Sequence, residues 1–74
     1  MSEYEFSLVT TGSLEDEAIL NALFEAGCDD ATFGQVDGVG YAHFVREAPA
    51  FAEAVRSAIE QVESVPGLRV VRVA

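Results

Sequence analysis

Asp30-Ala31-Thr32-Phe33-Gly34-Gln35-Val36-Asp37-Gly38-Val39-Gly40-Tyr41-Ala42-His43-Phe44-Val45-Arg46 is the stretch that decides the fold. Two runs with aromatic and β-branched residues flank Asp37-Gly38. A two-residue hairpin turn needs positive φ at both central positions, and this dipeptide is suited to it. The stretch therefore predicts a β-hairpin with arms at 30–36 and 39–46. In the second arm, alternation places Gly40, Ala42 and Phe44 on one face and Val39, Tyr41, His43 and Val45 on the other. The face with Phe44 is expected to meet the helices.

Upstream of the hairpin, Tyr4, Phe6 and Leu8 alternate with Glu5, Ser7 and Val9, the period of a half-buried strand. Thr11-Gly12-Ser13 turns the chain. Ser13 with Asp16 three residues on fits a helix start, and Glu15-Asp16-Glu17 suits the positive end of a helix dipole. Leu14, Ala18, Ile19, Ala22, Leu23 and Ala26 recur at helical steps, widened by Leu20 and Phe24, and Gly27 is placed to end the helix.

Downstream, Pro49 suits a first helical turn. Phe51, Val55, Ala58, Ile59 and Val62 repeat at helical spacing, with Glu53, Arg56, Ser57, Glu60 and Glu63 expected in water. Val65-Pro66-Gly67 is a turn. Leu68 to Val73 forms the last strand.

The order is thus strand, helix, strand, strand, helix, strand within 74 residues. Right-handed crossovers joined by a central hairpin predict an α+β, ferredoxin-like βαββαβ split sandwich. Its four-stranded antiparallel sheet has the order 4-1-3-2, with both helices on one face, and residues 1–74 make a single domain. The opposite face is left open, carrying Glu5, Ser7 and Val9 from the first strand and Val39, Tyr41, His43 and Val45 from the third. Such a half-apolar exposed set marks an interface.

A domain this short hides only about 60% of the surface its unfolded chain exposes, so self-association is a natural source of added stability. The hydrophobic fraction of 50% argues against disorder. Net charge is −9, the four cations are all arginine, and there is no lysine. Nucleic-acid binding rests on neutralising phosphates with Lys and Arg, so the chain is expected to bind neither nucleic acid nor anionic membrane directly. Its expected partners are a second copy, as a homodimer, or another protein. One cysteine, Cys28, excludes an intrachain disulfide and suits a reducing compartment. The first residues show neither a positive flank nor a long apolar run, so the expectation is a cytoplasmic protein without signal peptide or membrane span.

The candidate motifs each meet a simpler reading. Gly38-Val39-Gly40 lacks the third glycine and the strand-to-helix setting of a nucleotide loop. Thr10-Thr11-Gly12-Ser13 leads into a helix N-terminus, where anions bind, but three carboxylates follow and no arginine stands by; helix capping is the better account. Cys28, Asp29 and Asp30 are adjacent and cannot all converge on one ion, so Cys28 reads as a partly buried apolar residue. His43 could serve as an acid or base, or as a pH-sensitive element at a contact. No nucleophile or second base stands near it in sequence, which favours an interface or solvent role. No catalytic, cofactor or metal residue is assigned.

At Ala22-Leu23-Phe24-Glu25-Ala26-Gly27-Cys28-Asp29-Asp30-Ala31, then at Asp37-Gly38-Val39, Arg46-Glu47-Ala48, Ala58-Ile59 and Val70-Val71-Arg72-Val73, the chain resembles a family of small, poorly characterised bacterial proteins. In many of them such a domain precedes a helix-turn-helix segment. The resemblance covers nearly the whole chain and is most specific from Ala22 to Ala31; Gly40, Ala42, His43 and Val45 depart from it. It implies a regulatory or dimerising role and brings no catalytic residues. DNA binding belongs to the helix-turn-helix and is not carried to these residues.

The expectation is a non-enzymatic interaction or dimerisation module, working through the open sheet face or an edge strand. The alternative is a small-molecule-sensing domain similar to amino-acid-binding regulatory modules, with Gly12, Gly27 and Gly34 giving close backbone approach.

Overall fold

A computed structural model of the chain describes residues 2–74. The elements run β1 (Ser2–Thr11), α1 (Glu17–Glu25), β2 (Ala31–Val36), β3 (Val39–Ala48), α2 (Phe51–Glu63) and β4 (Arg69–Val73). The fold is α+β, with one four-stranded antiparallel sheet in the order β2-β3-β1-β4, which is 4-1-3-2 read from the other edge.

The hairpin forms as its turn chemistry dictates. Asp37 and Gly38 take φ of 51° and 79°, and Val36 pairs with Val39 across the turn. The register then carries Ala42 opposite Phe33 and Phe44 opposite Ala31, while on the other side Phe44 faces Phe6 and Ala42 faces Leu8. These inward residues share one core with Leu23 of α1 and with Ala54, Ala58 and Val62 of α2. Both helices therefore cover the same sheet face. Phe6 and Phe44 stack with ring centroids 5.5 Å apart, and Phe33 meets Phe44 edge-on at 6.5 Å.

Helix α1 begins a full turn later than Ser13 suggests. Asp16 is the N-cap, its Oδ1 accepting from the Ala18 N–H at 2.9 Å, and Leu14 reaches the core from the preceding loop. The Leu14 N–H donates instead to Gln35 Oε1 of β2 at 3.1 Å, so the loop is tied to the sheet before the helix starts. At the other end Gly27 (φ 106°) closes the helix: its N–H donates to the Phe24 carbonyl and the Cys28 N–H to the Leu23 carbonyl, the paired bonds of a Schellman ending. Leu23 and Cys28, its hydrophobic bracket, are both buried.

Other boundaries shift as well. Phe24 is 65% exposed, because only one face of this nine-residue helix reaches the sheet. Pro49 precedes the Ala50 N-cap of α2 and lies outside its first turn. Asp30 lies before β2 and Leu68 before β4, while β3 continues to Ala48. Ser57 does not point to water; its hydroxyl is engaged beneath the sheet, as described below.

Candidate functional site: the open sheet face

The alternation that buries Phe6, Leu8, Ala42 and Phe44 turns Glu3, Glu5, Ser7 and Val9 of β1 and Val39, Tyr41, His43, Val45 and Glu47 of β3 to the face that no helix covers. Glu5, Val39, His43 and Val45 are exposed there, with Ser7 and Tyr41 half-buried. Val9 differs from the expectation of an exposed position, being only 5% exposed. It lies on a central strand, flanked in register by the long side chains Tyr41 and Arg72.

Register brings together three polar residues that are separate in sequence. Ser7 stands opposite His43, with Ser7 Oγ 2.9 Å from His43 Nδ1, and His43 Nε2 lies 3.2 Å from Glu5 Oε2. In the neutral ring Nε2–H donates to the carboxylate and Nδ1 accepts the hydroxyl proton of Ser7. A nucleophile therefore does stand beside His43, contrary to the reading from sequence distance. The order serine, histidine, carboxylate is that of hydrolytic triads, but the His43 and Glu5 side chains are 47% and 69% exposed on an open face. Acyl transfer needs a concave, water-excluding site with free donors aimed at the oxyanion. Here the line of bonds fixes the imidazole over Ser7.

Charge on this face is divided along the strands. Glu3, Glu5 and Glu47 occupy the end where Glu3 pairs with Glu47, whereas Arg69 and Arg72 oppose Thr11 and Val9 at the other. Among the described residues neither Arg69 nor Arg72 has a carboxylate within ion-pair distance.

A second cluster lies on the helix-covered side. Arg46 shares the inward parity of Phe44, and its side chain is 10% exposed. Its Nε and Nη2 donate to the two Asp30 oxygens at 2.7 and 2.8 Å, Nη1 to Ser57 Oγ at 3.0 Å, and Nη2 also to Gln61 Oε1 at 2.8 Å. The guanidinium lies over the Phe44 ring, 4.9 Å from its centroid. The Arg46 hydrogen bonds hold the Asp30 carboxyl below its ordinary range, and Arg46 is raised in turn. Burial pushes the Cys28 thiol up, and the thiol donates weakly to Gln61 Oε1 at 4.0 Å. Among the described residues no three of His, Cys, Asp and Glu gather as metal ligands.

No family model, curated protein or solved structure matches the chain.

Arg46 escaped the sequence reading, although its parity with Phe44 was a usable signal: a charge on an inward face must find partners. The glycines of the sensing alternative serve other ends. A Cβ at Gly12 would sit 2.5 Å from the Gly67 carbonyl oxygen and one at Gly27 2.8 Å from Gln61 Nε2, so both allow close contacts within the chain, and Gly34 faces open space. Beside α2, Phe51, Val55, Ile59 and Val73 line an apolar groove of about 440 Å³. No helix among the described residues is long and apolar enough to cross a membrane.

Proposed function

We propose that this chain is a non-enzymatic interaction module of ferredoxin-like fold that pairs with a second copy of itself through the open sheet face. The observation that carries the reading is the divided charge of that face around the half-apolar set of Val39, Tyr41 and Val45. Two sheet faces related by a two-fold axis meet in one of two ways. An axis along the strands sets arginine against arginine. An axis across them reverses the strands, and at the level of Ser7 it brings Arg72, opposite Val9, to the level of Glu5, and Arg69, opposite Thr11, to the level of Glu3, each one strand spacing of about 4.8 Å to the side and within reach of a long arginine side chain.

The breadth of the molecule, 33 by 24 Å, fits the roughly 800 Å² per partner of a standard specific interface. Each copy carries a charge of −9, so long-range repulsion opposes pairing and the local Arg-to-Glu contacts select the reversed arrangement. In a regulator such pairing would bring two DNA-binding segments together, the setting that the resemblance to helix-turn-helix proteins implies.

Light scattering on a size-exclusion column tests the reading. The chain is expected to run as a dimer at tens of micromolar and Tyr41→Asp as a monomer; a strictly monomeric parent chain would refute the proposal. Orientation is tested by mixing. Arg69→Glu/Arg72→Glu and Glu3→Arg/Glu5→Arg chains should each be monomeric alone and dimerise when combined.

A further inference from the structure

We infer that the free edge of β2, overhung by Leu20 and Phe24 of α1, is a docking site for an extended segment of a partner protein, apolar at alternate positions and cationic at both ends, that joins the sheet as an added strand. Strand β2 lies inside the chain, at the sheet edge opposite β4, and pairs with β3 alone. The Val45 N–H donates to the Asp30 carbonyl at 3.1 Å, so the even-numbered residues of β2 bond to β3, and Ala31, Phe33 and Gln35 turn their N–H and C=O groups away from it. Among the described residues no hydrogen bond uses those backbone groups. Natural sheet edges are blunted by charge, proline or irregular pairing. Strand β4 has Arg69, Arg72 and a register shift against β1, whereas Ala31–Val36 has no charge, no proline and an unbroken register. An edge of that kind is a template for strand addition.

Helix α1 supplies an apolar roof. At helical spacing Ile19, Ala22 and Ala26 fall on one flank of buried Leu23, and Glu17, Leu20 and Phe24 on the other. Ile19 Cδ1 lies 4.0 Å from where a Cβ on Gly67 would stand, just ahead of β4, so the first flank faces α2, which packs on β1, β3 and β4. The second flank therefore overhangs the β2 edge, with Phe24 65% exposed and Phe33 half-buried beneath. A strand added beside β2 would turn the residues opposite Ala31, Phe33 and Gln35 inward under that roof, and those between them outward beside Thr32 and Gly34. Gly34 has neither a positive φ nor a neighbour that a Cβ would touch, so nothing within the chain accounts for it. In a strand of regular register such a glycine marks the close approach of another backbone. Exposed Asp29 and Asp37 bracket the edge and Glu17 stands on the roof, which calls for cations at the ends of the segment. The same charges disfavour a second β2 as the occupant: the register centred on Phe33, which uses all three residues, sets Asp29 opposite Asp37 of the other copy at both ends.

Three peptides titrated to millimolar concentration against the isotope-labelled full chain test the site: Arg-Val-Thr-Val-Thr-Val-Arg, its phase-shifted form Arg-Thr-Val-Thr-Val-Thr-Arg, and Glu-Val-Thr-Val-Thr-Val-Glu. The amide signals of Ala31, Phe33 and Gln35 are expected to move with the first. It should bind about tenfold more tightly than the second, which slides into phase only with two valines inward and one arginine out of place, and the third should not bind. Phe24→Ser strips the roof outside the core, and Ala31→Pro removes a donor that β2 does not direct at β3; both should abolish the shifts. Equal binding of the first two peptides, no shift with any, binding of the acidic one, or shifts that survive both substitutions would overturn the inference. So would Ala31, Phe33 and Gln35 signals that move with the concentration of the Tyr41→Asp chain alone, which would assign the edge to a second copy. The titration is expected to give the same result in Tyr41→Asp, so its outcome is separate from that of pairing through the open face.

Discussion

Arg46 and Asp30 meet through two parallel hydrogen bonds, Nε to Oδ2 at 2.7 Å and Nη2 to Oδ1 at 2.8 Å, and so bind the middle of the sheet to the loop that follows α1. The same guanidinium reaches Ser57 and Gln61 of α2. One side chain thereby ties β3 to the loop after α1 and to α2. Arginine is the residue suited to this, because its fork presents several donors in a fixed plane.

Arg46→Ala leaves Asp30, Ser57 and Gln61 short of donors. Removing one partner of a well-buried pair costs about 3–5 kcal/mol, and partial exposure of Asp30 lowers the expectation to about 2–3 kcal/mol. Arg46→Lys should recover less than half of that loss, since an ammonium cannot reproduce the fork. Urea unfolding curves measure both, and an Arg46→Ala chain as stable as the parent would show the cluster to be energetically idle.

The pH dependence has a definite sign. The folded-state pKa of Asp30 lies below its ordinary value of 3.8, so its contribution is fully present above that value and is lost as pH falls through the lower one. Asp30→Asn should therefore be less stable than the parent by a constant margin near neutrality. That margin should shrink below about pH 4, where the unfolded carboxylate begins to protonate. Thermal unfolding between pH 2.5 and 7 reads the difference directly; a gap that widened on acidification would contradict the assignment.

Phe44 and Phe24 test the core. Phe44 is fully buried and touches three aromatic or cationic neighbours, so Phe44→Ala is expected to cost about 3–5 kcal/mol. Phe24, exposed on α1, should tolerate serine within about 0.5 kcal/mol. Denaturation midpoints of the two variants should separate widely, and similar losses would place Phe24 in the core after all.

The hairpin, both helices, the alternation of β1 and β3 and the glycine that closes α1 were legible, because each rests on chemistry local to a few residues. What depends on register was not. Ser7 and Glu5 lie 36 and 38 residues from His43, and no local pattern announces that a strand pairing will join them. The start of α1 differs as well: Ser13 and Asp16 are both competent caps, the helix takes Asp16, and the Leu14 N–H bonds Gln35 of another strand, a contact that no local pattern announces. Arg46 stood in plain alternation with Phe44, but its partners are gathered from the loop after α1 and from α2. The shortness of β4 against β1 is likewise a property of pairing and leaves no mark in composition.

The strand order β2-β3-β1-β4 carries one more consequence. Cleaving the chain at Asp37-Gly38 would give a first piece holding β1 and β2 and a second holding β3 and β4, and in neither piece do the two strands touch. Every ladder in the sheet joins one piece to the other. Neither fragment can lay down even a two-stranded ribbon with its native pairing, so the halves are obligate complements, and no native ladder can form until synthesis has passed the turn and delivered β3.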